Sequence, residues 1–380
     1  MQETDNGYEL FYSENSLFSK TDITFNQGTP DLTHFYLDGT HSDKCRLFVT
    51  DETIAELPFM NSFITKLRTS PQKTDALIVL PAGEAAKNID SVLSIVKAAL
   101  DKDFTRNAVF IGIGGGVICD MTGFAASMFK RGVQCEFIPT TLLADVDAAI
   151  GGKTGCDFSS YKNMIGAFWP ARSVRIWSGC IQTLSDREYR SGLAEALKTA
   201  LLFSEELVHL FEDKREQVLS RDDSVLLTII KECAKAKAKI VHEDLREQGN
   251  RAFLNYGHTF GHALESVAGL GTVTHGEGVA WGMGRACDIG VRLGICSKDF
   301  AERTKNLLAS YGYDMAPVPQ ALKEITNASE RLLTAMKKDK KNMTASCIRL
   351  ILQAAPLRTI IKEVDDKDIL SVLCEEKNKD

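Results

Sequence analysis

Short runs of β-branched residues alternate with amphipathic helical segments along the first half of the chain. Strands are predicted at 46–50, 76–80, 108–113 and 135–139, and helices at 90–100 and 120–129. Within 90–100, apolar residues return at the three- and four-residue spacing of one helix face. Strands separated by helices favour a parallel sheet that is covered on both faces. The pattern therefore predicts an α/β domain with a Rossmann-like parallel sheet.

The hydrophobic pattern changes near residue 180. Helices are predicted at 186–202, 204–219, 222–243, 257–268, 276–293, 298–311 and 319–326, and one clear strand at 346–352. At 380 residues the chain is also longer than one core usually supports. We therefore predict an α/β domain over 1–180 and a mainly α-helical domain over 181–380. The first 15 residues either pair as an edge strand or are disordered.

Composition argues against several classes of function. The hydrophobic fraction of 44% and charged fraction of 25% are typical of soluble globular proteins. A net charge of −6 without a long basic run argues against nucleic acid as the main partner. No apolar run approaches the roughly 18–20 residues that span a bilayer. The acidic N-terminus is unlike a signal peptide, and the ten scattered cysteines form no Cys-x-x-Cys pair, so we expect a reduced, cytoplasmic protein.

Three of the seven histidines lie within 18 residues: His258, His262 and His275. The first two are four residues apart, so a helix projects them from one face. Imidazole is a common metal ligand, and three histidines so close together favour an open catalytic metal site over ordinary core or surface histidines. Glu195 is a candidate third ligand beside His258 and His275, because its neighbours are small and apolar and a buried carboxylate must be paired or metal-bound. The alternative for Glu195 is a surface ion pair with Lys198.

A glycine cluster, Gly112-Ile-Gly114-Gly115-Gly116, follows a predicted strand and precedes a predicted helix. Such a turn lets backbone amides approach a phosphate at the helix N-terminus. The spacing departs from the dinucleotide fingerprint G-x-G-x-x-G, because Val117 or Cys119 stands where the third glycine is expected. Nucleotide binding is favoured over a tight structural turn. Asp51 and Glu84 at predicted strand ends are candidate acceptors for ribose hydroxyls.

A further polar segment extends from residue 139 to 163. It carries hydroxyl, acidic and amide side chains together with Gly151-Gly-Lys153-Thr-Gly155. The first glycine of a P-loop is missing, since Asp147 occupies its position, so a kinase of that type is disfavoured. Lys153 on its glycine turn is a candidate point charge for a substrate anion, with a solvated loop lysine as the alternative.

Together these segments resemble the 3-dehydroquinate synthase family within the sugar phosphate cyclase superfamily. The resemblance runs in the same order from about Asp51 to Lys341. Its blocks include Pro81-x-Gly-Glu84-x-x-Lys87, Gly114-Gly-Gly-Val-Ile-x-Asp120, Pro139-Thr-Thr-Leu-Leu-Ala, Lys162-Asn-Met-Ile-Gly-Ala-Phe168, Gly192-Leu-Ala-Glu-Ala-Leu-Lys198, Arg251 to His262, and Asp339-Lys-Lys341. It implies a dehydroquinate synthase-like fold, with an NAD-binding first domain and a metal- and substrate-binding second domain.

The resemblance also implies roles for individual residues. The zinc ligands would be Glu195, His258 and His275, with Co²⁺ as an alternative metal. NAD would be held by Asp51, Glu84, Lys87, Gly114, Gly115, Gly116, Val117, Asp120, Thr140, Thr141, Lys153, Lys162 and Thr183. The substrate would meet Asp147, Lys153, Asn163, Lys198, Lys237, Arg251, Asn255, His262 and either Lys340 or Lys341. Arg131 resembles a residue that reaches into a partner subunit, which implies a homodimer.

The activity implied by the resemblance belongs to the shikimate pathway. It converts 3-deoxy-D-arabino-heptulosonate 7-phosphate to 3-dehydroquinate and phosphate, through transient oxidation by NAD, phosphate elimination, re-reduction and an intramolecular aldol closure. The alternatives are sister cyclases that form 2-epi-5-epi-valiolone, 2-deoxy-scyllo-inosose or aminodehydroquinate. Metal-dependent polyol dehydrogenases and an inactive homologue are less favoured, because the anion-binding residues and the ligand triad are all present.

Overall fold

The computed structural model describes residues 1–12, 20–38, 44–69, 74–159, 161–269, 271–338 and 347–374. The chain divides into two compact units. Unit 1 consists of Met1–Leu184 with Asp223–Arg246, and unit 2 consists of Ser185–Asp222 with Glu247–Asp380. All ten cysteines lie in described residues and none is in a disulfide, as expected from their scattered spacing.

The described residues form strands and helices in the following order. The strands are β1 (Gln2–Thr4), β2 (Gly7–Phe11), β3 (Lys20–Asn26), β4 (Arg46–Asp51), β5 (Asp75–Leu80), β6 (Val109–Gly114), β7 (Gln134–Pro139), β8 (Lys153–Phe158), β9 (Tyr161–Phe168), β10 (Ser173–Trp177), β11 (Cys347–Ala355) and β12 (Arg358–Asp365). The α-helices are α1 (Glu52–Ala55), α2 (Pro58–Thr69), α3 (Ile89–Leu100), α4 (Gly116–Met128), α5 (Asp186–Phe203), α6 (Glu205–Asp213), α7 (Arg215–Leu219), α8 (Asp223–Glu243), α9 (His258–Ala268), α10 (His275–Arg292), α11 (Lys298–Ser310), α12 (Ala328–Lys338) and α13 (Asp366–Val372).

Unit 1 is built on an eight-stranded sheet in the order β1-β2-β3-β10-β7-β6-β4-β5. The six strands from β3 to β5 are parallel, and β1 and β2 extend the sheet as antiparallel edge strands. The predicted parallel sheet is confirmed, and the start of the chain forms an edge hairpin. The strand order reverses at β4, since the chain goes outward to β5 and returns to β6 on the other side. Open α/β sheets bind ligands beyond the carboxyl ends of strands at such a reversal.

The helix α8 belongs to unit 1 although both of its sequence neighbours lie in unit 2. Its buried face includes Leu226 and Ile230. The His242 Nδ1 donates to the Phe11 carbonyl at 2.7 Å, and the Lys231 ammonium lies 6.0 Å from the Phe25 ring centre. The single domain boundary predicted near residue 180 places α8 in the second domain. An apolar helix face does not show which of two cores the helix packs against.

Unit 2 is mostly helical, as predicted, with one antiparallel hairpin formed by β11 and β12. The helix predicted at 319–326 is wrong: a short 3₁₀ turn spans Gln320–Leu322, and Asn327 adopts a left-handed backbone (φ 54°) before α12 begins. The strand predicted at 346–352 is one half of the hairpin. Its partner β12 was missed because most of its residues are exposed or half-buried, so it lacks a strong apolar alternation.

Glycines allow α5, α9 and α10 to pack with their backbones in contact. A Cβ atom on Gly261 of α9 would lie 2.7 Å from the carbonyl carbon of Gly278 in α10. A Cβ on Gly276 would lie 2.2 Å from the carbonyl oxygen of Ser191 in α5, whose hydroxyl accepts the Gly276 amide at 3.1 Å. Gly257, which precedes α9, has a left-handed backbone with φ 81°. No larger side chain fits these contacts without moving a helix.

We expect Gly276→Ala to move the first turn of α10 away from α5. The free energy of unfolding should fall by about 1–3 kcal/mol, because the added methyl meets rigid backbone. His275 is the neighbouring residue, so Co²⁺ affinity should fall in the same variant. The measurements are denaturant unfolding and Co²⁺ titration of the metal-free protein.

The matched control is Gly284→Ala in the same helix, where the new Cβ would meet the flexible Met315 thioether, with the sulfur at 2.9 Å. That variant should keep both the stability and the Co²⁺ affinity of the unaltered chain. Equal losses in the two variants would contradict the role assigned to the Gly276 contact.

Candidate active site

Three predicted metal ligands converge in unit 2. Glu195 lies in the middle of α5, His258 begins α9 and His275 begins α10. The Oε1 atom of Glu195 is 3.5 Å from the Nε2 of His275 and 3.8 Å from the Nε2 of His258. One ligand atom from each residue lies within 4.8 Å of the other two. The structure thus brings together residues that are up to 80 positions apart in the sequence.

The geometry and chemistry of this triad suit a divalent transition metal. Two ligands held at 2.0–2.1 Å in a tetrahedral site are about 3.3 Å apart, close to the two separations from Glu195. Glu195 is 1% exposed, and its Oε1 accepts no hydrogen bond from any residue that the structure describes. A buried carboxylate oxygen without a donor is costly, and a cation would satisfy it. One carboxylate and two imidazoles form a known catalytic zinc ligand set.

Both histidines are oriented by the nitrogen that faces away from Glu195. The Nδ1 of His258 lies 3.2 Å from the Tyr256 carbonyl oxygen, which only accepts, so this nitrogen carries the proton. The Nδ1 of His275 lies 3.4 Å from the Glu265 carboxylate. Such partners fix the ring and leave the Nε2 lone pair for a metal.

The Glu195 carboxylate is strongly biased toward its charged form. Burial raises the Glu195 pKa, but the Lys198 ammonium and the two histidines outweigh this effect and hold the pKa well below its ordinary value. Lys198 is itself 1% exposed and donates to Glu195 Oε2. The predicted alternative of an exposed Glu195–Lys198 pair is therefore wrong, because both side chains are buried.

The two histidines differ in their preferred protonation. Burial, reinforced by Lys198, lowers the pKa of His258 well below its ordinary value, so this ring is neutral near pH 7. Burial also opposes the charged form of His275, but the neighbouring Glu195 and Glu265 carboxylates outweigh it and raise the pKa to about 9. Metal binding to the triad therefore has to displace a proton from His275.

His262 stands beside the triad on the same face of α9 as His258. Their ring centres are 5.4 Å apart, and the His262 ring centre is 5.9 Å from that of His275. Glu265, one turn further along α9, is not among the residues that the sequence predicts for the site. It lies seven residues after His258 and therefore on the same face of the helix, and this spacing could have indicated it as a site residue. Its partner His275 belongs to another helix, so the contact itself is not visible in the sequence.

The glycine loop lies in unit 1 between β6 and α4, at the reversal of strand order. Gly115 is the N-cap of α4 and provides no side-chain hydrogen bond, so the first amides of the helix have no side-chain acceptor there. A Cβ on Gly115 would approach Thr141 Cγ2 to 3.1 Å. Thr140 follows β7, and its buried Oγ1 has no hydrogen-bond partner among the described residues. Orphan amides and a buried hydroxyl at a strand reversal suit the pyrophosphate of a dinucleotide.

A second polar cluster in unit 1 joins three predicted site residues. The Nζ of Lys87 lies 2.7 Å from the Asp120 carboxylate and 2.7 Å from the Asn163 side-chain oxygen. Burial raises the Asp120 pKa above its ordinary value despite the opposing Lys87 charge. Burial opposes the charge on Lys87, but the acidic neighbours Asp120 and Glu84 outweigh it and raise its pKa. Asn163 has a left-handed backbone, with φ 53°.

A third pair in unit 1 ties α8 to the π-helical turn Ala144–Ala148. Lys237, 6% exposed, lies with its Nζ 2.6 Å from the Asp147 carboxylate. Both residues were predicted to meet the substrate, and the structure brings them together although they are 90 positions apart.

The remaining predicted residues lie outside these clusters. In unit 1, Asp51 caps α1 by accepting the Ile54 amide, Glu84 begins a 3₁₀ turn, and the Thr183 hydroxyl donates to the Cys180 carbonyl. Lys153 and Lys162 are exposed on the β8–β9 hairpin, and Arg131 is exposed in a turn with φ 71°.

In unit 2, Arg251 is 2% exposed, and the Asn255 side chain donates to Glu247. Lys340 and Lys341 lie outside the described residues. The cofactor and substrate roles of all these side chains stay predictions.

No helix in the described part of the chain combines the length and apolar character that a bilayer crossing needs.

Comparison with solved structures identifies the fold. The chain matches the 2-epi-5-epi-valiolone synthase of Streptomyces hygroscopicus subsp. jinggangensis, solved with NAD⁺ and Zn²⁺ bound, at a TM-score of 0.82 and 25% identity, covering 96% of this chain and 98% of that one. A 2-deoxy-scyllo-inosose synthase complexed with carbaglucose-6-phosphate, NAD⁺ and Co²⁺ matches at a TM-score of 0.77 and 22% identity, over 96% and 98% of the two chains. These similarities confirm the predicted dehydroquinate synthase-like fold.

Sequence comparison is more specific. Models of the N-terminal and C-terminal parts of 3-dehydroquinate synthase match residues 77–191 and 192–342. The 3-dehydroquinate synthase of Desulforamulus reducens is 37% identical, covering 89% of this chain and 92% of that protein. The enzyme of Methylococcus capsulatus is 39% identical, covering 89% and 90%. With both parts matched in order and relatives of this identity over most of its length, the chain belongs to the 3-dehydroquinate synthase family.

Proposed function

We propose that the chain converts 3-deoxy-D-arabino-heptulosonate 7-phosphate to 3-dehydroquinate and inorganic phosphate, the reaction by which its relatives are named. The observation that carries this proposal is the convergence of Glu195, His258 and His275 in unit 2 of a chain that matches the family over residues 77–342. The enzyme would be a carbon–oxygen lyase, because phosphate leaves by elimination.

Two groups are needed beside the protein. NAD⁺ would accept and return a hydride, and a divalent metal, Zn²⁺ with Co²⁺ as a substitute, would act as a Lewis acid on substrate oxygens. Glu195, His258 and His275 would hold the metal and leave a coordination position open. In unit 1 the amides of Gly114, Gly115, Gly116 and Val117 would contact the pyrophosphate, and Asp51 and Glu84 would accept ribose hydroxyls.

The buried cations would bind the anionic groups of the substrate. Arg251 and Lys198 in unit 2 are both nearly inaccessible to solvent, so each charge acts in a weakly screened environment. A planar guanidinium can bind a carboxylate or phosphate through two hydrogen bonds, whereas a lysine acts as a point charge. Lys153, Asn163, Lys237, Asn255 and His262 are the other residues that we propose for substrate binding. The sister cyclases that form 2-epi-5-epi-valiolone or 2-deoxy-scyllo-inosose would act on substrates without a carboxylate and have less need of this full set.

In the proposed reaction the departing phosphate would accept the proton of the elimination step, because no separate base stands out in the sequence. We further propose that the enzyme acts in the cytoplasm as a homodimer. Arg131 would then reach toward the partner subunit, a role to which its exposed turn in unit 1 is suited.

The deciding experiment measures inorganic phosphate and NADH together. The full chain is incubated with 3-deoxy-D-arabino-heptulosonate 7-phosphate, catalytic NAD⁺ and Zn²⁺, and phosphate should appear without accumulation of NADH. Glu195→Ala should retain no metal after gel filtration and release no phosphate, because only three protein ligands hold the ion. NAD⁺ binding by that variant serves as the control for folding of unit 1.

Other outcomes of the same assay would overturn the proposal. Phosphate release only from sedoheptulose 7-phosphate or glucose 6-phosphate would indicate a sister cyclase. Accumulation of NADH with a polyol would indicate a dehydrogenase. Full activity in metal-free Glu195→Ala would show that the reaction does not need the metal.

We expect Arg251→Ala to weaken substrate capture while leaving NAD⁺ and metal binding unchanged. Loss of one partner from a buried charge pair costs about 2–5 kcal/mol, which should appear as a raised KM. Arg292→Ala is the control, because this arginine pairs with Asp368 at the surface and should leave KM unchanged. An unchanged KM in Arg251→Ala would contradict the assigned role.

A further inference from the structure

His275 lies between two carboxylates, one facing each of its ring nitrogens. Its Nε2 is 3.5 Å from Glu195 Oε1, and its Nδ1 is 3.4 Å from Glu265 Oε1. A neutral imidazole has one lone pair and one N–H group. Once a metal has displaced one proton from His275, the neutral ring therefore offers its lone pair toward one carboxylate and its remaining proton toward the other.

The Glu265 side of this arrangement has the ligands of a second metal position. His262, Glu265 and His275 each place one ligand atom within 4.8 Å of the other two. His262 and Glu265 are three residues apart and share one face of α9. Two imidazoles and a carboxylate again form the donor set that suits a divalent transition metal.

Exposure to solvent falls from His262, at the second position, to Glu195, in the triad. The His262 side is exposed, and Glu265 is 10% exposed. Glu195 on the other side of His275 is 1% exposed. His258 of the triad is 14% exposed, so an ion from solvent meets the exposed His262 before it meets Glu195, and His275, 31% exposed, is common to both positions.

We propose that His262, Glu265 and the Nδ1 of His275 form an outer cation position, through which a divalent transition metal reaches the inner position formed by Glu195, His258 and the Nε2 of His275. The inference rests on the proposed function only where it takes the inner triad as the metal site. Glu265 is then a transient metal ligand as well as a hydrogen-bond partner of His275.

The single lone pair of His275 makes the two positions mutually exclusive. With the ion outside, Nδ1 coordinates and the Nε2 proton faces Glu195. With the ion inside, Nε2 coordinates and the Nδ1 proton faces Glu265. Passage of the ion therefore moves one proton from Nε2 to Nδ1 through solvent, with no net gain or loss. Neither carboxylate loses its partner at either end of the transfer.

The test measures the rate of Co²⁺ uptake by the metal-free chain, using the absorption of bound Co²⁺. Glu265→Gln keeps an oxygen acceptor for the Nδ1 proton of His275 but removes the charged ligand. We expect uptake to slow about tenfold, equivalent to about 1.4 kcal/mol on the barrier. Because the outer position serves both directions, release into excess chelator should slow by the same factor, and the equilibrium affinity should be unchanged.

A purely orienting role for Glu265 gives a different result. Loss of a partner that only orients a ligand weakens metal affinity by about 10- to 100-fold, so release would be faster rather than slower. Faster release, or an unchanged uptake rate, would overturn the proposal. Glu302→Gln on exposed α11 changes the net charge equally and should leave both rates unchanged.

A second variant isolates the outer position at equilibrium. His258→Ala removes an inner ligand, and at excess Co²⁺ this variant should still bind one ion weakly. Adding Glu265→Gln should abolish that binding, whereas equal Co²⁺ binding with and without Glu265→Gln would refute the outer position. None of these measurements requires substrate turnover, so they distinguish failure of this inference from failure of the proposed function.

Discussion

Backbone contact among α5, α9 and α10 is the constraint on which the candidate metal site depends. Glu195, His258 and His275 each extend from a different one of these helices, and a ligand set a few ångströms wide tolerates little displacement. An added Cβ at Gly261 or Gly276 would come within 2.7 or 2.2 Å of backbone atoms in the facing helix, so the helices would have to separate. The positions of the three candidate ligands therefore depend on glycines, which have no side chain of their own to offer a metal.

Electrostatic pairing is the second organising feature. Lys198 contacts Glu195, Lys237 contacts Asp147, and Lys87 contacts Asp120, so each of these buried cations faces an acid of its own unit. A buried charge without such a partner would be costly. Under the proposed function, binding of an anionic substrate or cofactor would be an exchange of partners, in which a lysine gives up or shares a carboxylate that already neutralises it. Such an exchange would let a net-acidic chain bind an anionic ligand.

The sequence predicts the elements that depend on local periodicity. It does not predict the contacts that depend on packing between distant parts of the chain. The central strands and most helices follow from their apolar spacing, and the triad follows from buried polar residues in apolar surroundings. The hairpin strand β9 has no buried residue and thus no apolar pattern to detect. The contact of Lys87 with Asn163 joins residues 76 positions apart, and that of Glu265 with His275 depends on two helices meeting. Chemistry-bearing residues were therefore easier to predict than the neighbours that orient them.

The path of the chain has a consequence for how such a protein can be inherited. The chain passes from unit 1 to unit 2 after Leu184, returns to unit 1 for α8, and enters unit 2 again after Arg246. It therefore crosses between the two units three times. A gene fragment ending at residue 184 would encode unit 1 without the helix that covers part of its apolar interior and supplies Lys237. Neither unit can be exchanged by a simple end-to-end gene fusion, so the two units are bound to evolve as one piece.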